Sequence, residues 1–150
     1  VETILAVAVS VIVVTSLVSL AVFALRNSRQ ASYATSATQI AQTQIELIKA
    51  YRDSPNVTWA DFTTIISSCL NPNGKCYFTQ GAASTDFPIN HSGEDASKSP
   101  FTYYYNLSCV SGTCNAVGGT VRAYVFVTWN VGGKSQSIYN VTDFTNWRLK

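Results

Sequence analysis

No methionine occurs anywhere in the 150 residues, and histidine occurs once, at His91. Charge is also scarce: ten Lys and Arg stand against eight Asp and Glu, 12% of the chain. That is about half the ordinary share for a soluble domain. A net charge of +2 excludes the strongly basic balance that nucleic-acid binders need, so no specific nucleic-acid partner is expected. Neither a phosphate loop nor a dinucleotide fingerprint occurs. His91 has no cysteine or carboxylate partner at a fixed spacing and reads as a solvated loop residue. Asp86, Glu94 and Asp95 crowd the loop around Asn90 but lack EF-hand spacing. Lys134, Arg148 and Lys150 read as a solvated face. An enzyme is not expected, nor a cofactor, nor a metal. Aromatic residues make up 12% of the chain, which excludes a disordered polyelectrolyte. The missing methionine suggests a chain processed or trimmed at its N-terminus.

Glycine and proline are absent from the first third: the first proline is Pro55 and the first glycine Gly74. Between Glu2 and Arg26 lie 23 residues, Thr3 to Leu25, with no charge at all. About 20 apolar residues suffice for a bilayer core of about 30 Å, so this run is long enough to span a membrane. Ser10, Thr15, Ser16 and Ser19 weaken it only slightly. A secretory signal peptide has a shorter apolar stretch behind a basic segment; here no basic segment precedes the run. From Arg26 to Arg52 the composition turns polar but stays helix-forming. Tyr33, Ala37, Ile40, Ala41, Gln44, Ile45 and Ile48 recur at three- and four-residue spacing, with Leu47 and Tyr51 widening the stripe. Asp53-Ser54-Pro55-Asn56 ends the pattern, because a residue before proline avoids helical angles. One helix from about residue 2 to 52, about 75 Å long at 1.5 Å per residue, is the expectation.

The remainder is punctuated by Gly, Pro, Asn and Ser. Phe101 to Cys109 alternates Phe101, Tyr103, Tyr105 and Leu107 against Thr102, Tyr104, Asn106 and Ser108. Thr120 to Asn130 alternates Val121, Ala123, Val125, Val127 and Trp129 against Arg122, Tyr124, Phe126 and Thr128. Both are strand patterns. Gly132-Gly133 reads as a hairpin turn into a strand at about Ser135 to Thr142, and a short strand fits Lys75 to Thr79. The segment Gln80 to Pro100 reads as a long polar loop. The fold class is α+β: a long N-terminal helix whose C-terminal half packs on an antiparallel sheet of three or four strands. Its parts are an apolar helical segment 1–25, an amphipathic continuation 26–53, and a sheet domain 54–150. Tyr103 and Tyr105 are expected in the core, with Tyr104 exposed or at a subunit contact.

The four cysteines fall into two close pairs. Cys69 and Cys76 flank a turn-forming stretch, and Cys109 and Cys114 flank what reads as a hairpin tip. Of the three pairings that four cysteines allow, turn chemistry favours the two local ones. A zinc site would ask for shorter gaps and histidine partners. Disulfides place this half outside the cytosol. Arg26 and Arg29, beside the apolar run, point the other way, since basic flanks mark the cytoplasmic side. The conflict dissolves if a basic leader once preceded Val1. Four Asn-X-Ser/Thr sequons, at Asn56, Asn90, Asn106 and Asn140, are candidate glycosylation sites.

The opening Val1-Glu2-Thr3-Ile4-Leu5-Ala6-Val7-Ala8-Val9, a glutamate leading an unbroken apolar segment, resembles the mature N-terminus of type IV pilins and pilin-like proteins. The Gly-free helix, small antiparallel sheet and local cysteine pairs fit that resemblance. In that family the glutamate is the fifth mature residue; here it is the second, which implies either three residues absent from the chain or a different processing site. The family's helix-breaking Pro or Gly within the apolar half is also missing. The resemblance implies that Glu2 pairs with the terminal amine, often methylated, of a neighbouring subunit. It implies too that Ile4, Leu5, Val9, Ile12, Val13, Leu17, Leu20 and Phe23 serve first in the membrane and then in a filament core. The implied function is a structural subunit, the major pilin, of a surface filament for adhesion, twitching motility or uptake. Implied partners are further copies of itself, the membrane, a prepilin peptidase, an assembly platform and ATPase, and a host or surface receptor. A single-pass location with the C-terminal domain outside the cytoplasm would precede an extracellular filament. Two alternatives are a minor pilin or secretion pseudopilin, and an anchored binding domain that never polymerises.

Overall fold

The computed structural model describes residues 2–69, 75–78, 89–90, 96–110, 114 and 119–146. Helix α1 covers Glu2–Asp53. It is followed by α2 (Trp59–Cys69) and by strands β1 (Tyr77–Phe78), β2 (Ile89–Asn90), β3 (Ala96–Lys98), β4 (Phe101–Cys109), β5 (Thr120–Val131) and β6 (Lys134–Thr145). The arrangement is α+β. The chain divides into two compact units, Val1–Thr35 and Ser36–Lys150, with the division inside α1.

The first unit is helix alone. Every described side chain from Glu2 to Ser32 is exposed.

The second unit has a core. Strands β3 to β6 form one antiparallel meander in the order β3-β4-β5-β6, and β1 pairs with β2 as a separate antiparallel ribbon. Reciprocal backbone bonds between Cys76 and Tyr105, at 2.7 and 3.1 Å, tie the start of β1 to β4. Because side chains alternate across a strand, β5 buries Val121, Ala123, Val125, Val127 and Trp129 on one face. Phe101, Tyr105 and Leu107 from β4 and Phe144 from β6 join them. The α1 residues buried in this unit are Ala37, Ala41, Gln44 and Ile48. They recur every three or four residues, so they line one face of the helix. Two alanines in that stripe keep the helix surface flat for close approach. Gln44 is the polar member, and its Oε1 accepts a bond from the Phe78 N–H at 3.2 Å. That bond removes the cost of burying an amide and fixes β1 against α1. Tyr51, Phe62, Phe78 and Tyr105 form a run of ring contacts with centroids 5.2 to 6.4 Å apart.

Three features depart from the sequence expectations. Helix α2 was not anticipated. It starts with a reciprocal cap: the Thr58 N–H and hydroxyl both donate to Asp61 Oδ2, at 2.9 and 2.7 Å, while the Asp61 N–H donates to Thr58 Oγ1 at 3.2 Å. This is the Ser/Thr-x-x-Glu capping box with aspartate as the acid. The stretch expected as a loop, Gln80 to Pro100, contains β2 and β3. Both are held by pairing with neighbours rather than by any periodicity of their own. Strand β6 runs on to Thr145, because Asp143 on its outer face pairs with Arg122 while Phe144 turns into the core.

Candidate functional site

The chemistry-bearing feature of the first unit is the opening of α1. Glu2 lies in the first turn of the helix, where a carboxylate faces the unsatisfied N–H groups and the positive end of the helix dipole. Ile4, Leu5, Val9, Ile12, Val13, Leu17, Leu20 and Phe23 are all more than half exposed. Apolar exposure on every side of a helix is stable only in lipid or against other protein. The helix is long and apolar enough to cross a membrane.

The hydroxyl residues in the run are internally satisfied. Ser10 donates to the Ala6 carbonyl at 2.8 Å, Thr15 to Val11 at 2.9 Å and Ser19 to Thr15 at 2.9 Å; Ser16 donates to Ile12. Each bond is to the carbonyl four residues back. None of the four hydroxyls therefore enters an apolar medium bare, and the cost of burying them is largely removed. Arg26 and Arg29 follow directly and are exposed, where long basic side chains reach the polar edge of a bilayer.

In the second unit, Cys109 and Cys114 are disulfide-bonded, with Cα atoms 5.4 Å apart. Cys76 is disulfide-bonded as well. Cys69 ends α2, and its side chain lies outside the described residues, as does that of Asn90. The Trp59 Nε1–H donates to the Cys114 carbonyl at 2.7 Å, so α2 holds the connection between β4 and β5. Of the sequons, Asn56 is exposed in the turn after α1. Its Thr58 is already engaged in the cap of α2. Asn106 and Asn140 sit within β4 and β6 and are half-buried. Asp86, Glu94, Asp95, His91, Arg148 and Lys150 lie outside the described residues; Lys134 is exposed at the start of β6.

A cleft of about 300 Å³ lies between α1 and the β3–β4 turn, lined among others by Gln39, Thr43, Gln44, Lys98, Phe101 and Tyr103. No carboxylate, histidine or cysteine is among its described lining residues. The described residues hold no cluster of metal-ligating side chains. Two buried polar atoms, the Tyr105 hydroxyl and Trp129 Nε1, have no hydrogen-bond partner among the described residues. Burial pushes the Tyr105 phenol well above its usual range, so it stays neutral.

Sequence reasoning did not foresee the outer face of the sheet. Tyr104, Phe126 and Tyr139 lie opposite one another on β4, β5 and β6. Their rings form a row, the Tyr104–Phe126 pair stacked and the Phe126–Tyr139 pair tilted, with centroids 5.0 and 6.2 Å apart, and Lys75 Nζ sits 4.8 Å from the Tyr104 ring. The strand register was the missing signal, since the three residues are far apart in sequence. Beside the row, Arg122 and Asp143 form a two-pronged ion pair with both contacts at 2.7 Å. The guanidinium holds the Asp143 carboxyl below its usual range. Comparisons with known family profiles, curated proteins and solved structures found no match.

Proposed function

We propose that this chain is a structural subunit, the major one, of a type IV pilus-like surface filament. It is anchored in a membrane before assembly and polymerised through the first half of α1. The observation that carries the reading is the division of one helix into two surfaces. The run from Thr3 to Leu25 is apolar and exposed, while the later turns bury Ala37, Ala41, Gln44 and Ile48. A helix that served only to complete the second unit would have no use for the first half.

Glu2 gives the polymer its register. A carboxylate carried into an apolar core costs several kcal/mol unless it meets an opposite charge. The fitting partner is the terminal amine of a copy already in place. Internally bonded hydroxyls at Ser10, Thr15, Ser16 and Ser19 let the same surface exist in lipid and in a protein core. The second unit, stapled by disulfides, forms the exterior and carries any adhesive contact.

Shearing the surface of the native cells and imaging the released material by electron microscopy tests the reading, with mass spectrometry to identify the main component. Filaments composed mostly of this chain are expected. Filaments in which it is a trace component would make it a minor pilin or pseudopilin. Recovery solely as a membrane-bound monomer would overturn the proposal in favour of a non-polymerising anchored domain.

A further inference from the structure

The two edges of the four-stranded sheet are built differently. The β3 edge is three residues long, ends in Lys98 and runs into Ser99–Pro100. Shortness, a lysine and a proline are the ordinary means of stopping another strand from adding there. The β6 edge has none of these over most of its length. It is 12 residues long, and from Ser135 to Thr142 it contains no charge, proline or glycine.

The hairpin settles which backbone groups of β6 point outward. Gly132 and Gly133 have φ of 59° and 78°, the two positive values of a type I′ turn. Such a turn is closed by a hydrogen-bonded pair, here Val131 and Lys134, and hydrogen-bonded pairs then alternate along the ladder. The Asn146 N–H, which donates to the Gly119 carbonyl at 3.2 Å, keeps the same parity. Even-numbered residues of β6 therefore face β5. Ser135, Ser137, Tyr139, Val141, Asp143 and Thr145 aim their N–H and C=O groups away from the sheet. Among the described residues none supplies a partner for those groups. On this strand the large apolar side chains left exposed are Tyr139, at 69%, and Val141, at 38%.

We infer that β6 pairs antiparallel with β6 of a second copy of this chain about a two-fold axis through Asn140, joining two sheets into one of eight strands. Register chooses this occupant. With Asn140 opposite itself, Tyr139 of each copy lies against Val141 of the other, an aromatic and β-branched cross-strand pair made twice. Ser137 then lies against Asp143, a hydroxyl donor beside a carboxylate, and no like charges meet. Moving the axis by one residue either sets Tyr139 against Tyr139 and Val141 against Ser137, or sets Tyr139 against Asp143. A single strand pair buries less than the roughly 800 Å² per partner of a stable complex. The contact is accordingly weak between free chains and gains from a shared micelle, membrane or fibre that raises local concentration. It uses no residue of the first unit, so it stands or falls apart from polymerisation through α1.

The test is disulfide trapping on the full-length chain in detergent micelles, with brief oxidation that leaves the native disulfides intact. Asn140→Cys places its thiol opposite itself at a non-hydrogen-bonded position, where Cα atoms sit about 4.5 Å apart, within disulfide range. Ile138→Cys, on the same face, lies about 13 Å from its own copy at 3.3 Å per residue. Asn140→Cys should form covalent dimers at least tenfold more than Ile138→Cys. Val141→Pro removes only an outward N–H and leaves the β5 ladder whole; added to Asn140→Cys it should bring dimers down to the Ile138→Cys level. Equal trapping of the two cysteine variants, trapping in neither, or indifference to Val141→Pro in a folded chain would each overturn the inference. So would amide-exchange protection of Tyr139 and Val141 by an added extended peptide of unrelated sequence without dimer formation, which would assign the edge to a foreign strand.

Discussion

The two halves of α1 obey the same backbone geometry and opposite surface rules. Leu17 and Ile48 are both large aliphatic side chains on this helix, yet Leu17 is 60% exposed and Ile48 is 1% exposed. Around Leu17 the helix carries no charge on any side. Around Ile48 the neighbours are apolar on one side and polar on the rest. The difference shows that helix formation here is common ground, and that the medium each half needs is written in its periodicity. A one-sided stripe finds its partner within the chain, whereas an all-round apolar surface must find it outside.

Substitutions can break that contrast. The largest effect is expected from Phe62→Ala, which empties a site touched by the rings of Tyr51, Trp59 and Phe144. It should cost about 3–5 kcal/mol in denaturant unfolding followed by tryptophan fluorescence. Ile48→Ala should cost about 2–5 kcal/mol in the same assay. Leu17→Ala should leave that midpoint unmoved. If Leu17→Ala shifted it as far as Ile48→Ala does, the first half would be part of the folded core and the contrast would fail. Leu17→Lys reverses the comparison: it should disfavour membrane insertion by about 3 kcal/mol, read as loss from the membrane fraction, while the second unit unfolds as before.

Smaller effects sharpen the picture. Thr58→Ala removes the hydroxyl from the α2 cap, leaving only the backbone bond from residue 58 to Asp61, and should cost about 1 kcal/mol. Acid should act through Asp61 and Asp143, whose carboxyls are held below their ordinary values by the Thr58 hydroxyl and by Arg122 respectively. A depressed folded pKa contributes stability that is full above the ordinary carboxylate range and is lost as pH falls through it. Unfolding midpoints measured from pH 6 down to pH 2 should therefore decline, and Asp143→Asn should flatten part of that decline by lowering the plateau slightly while leaving the acid end nearly unchanged. An unaltered acid profile in Asp143→Asn would show that the ion pair adds nothing.

The parts legible in the sequence are those with long periods. The stripe Ala37, Ala41, Gln44, Ile48 and the alternation of Val121 through Trp129 each extend over many residues, so their buried faces could be named in advance. The Gly132-Gly133 turn was legible because tight hairpins demand positive φ at both central positions. Strands β2 and β3 were not, since two or three residues carry no period and owe their conformation to neighbours. Helix α2 was obscured by Thr63, Thr64, Ile65 and Ile66, β-branched residues that favour strands; the signal that outweighed them was Thr58-x-x-Asp61. For the candidate site, Glu2 and the apolar run were visible at once, because a lone charge beside a long apolar stretch is rare. The row of rings Tyr104–Phe126–Tyr139 and the open β6 edge were hidden until the strand register brought distant residues together.

In the proposed function, Glu2 controls the passage of the first half of α1 from lipid into a protein core. The most direct measurement compares wild type with Glu2→Gln in the cells that make the chain, counting sheared filaments by electron microscopy and blotting the membrane fraction in parallel. With that pairing removed, Glu2→Gln should accumulate as a folded, disulfide-bonded monomer in the membrane and yield few or no filaments; the proposed role of Glu2 requires it. Filaments from Glu2→Gln at the wild-type number and length would contradict it.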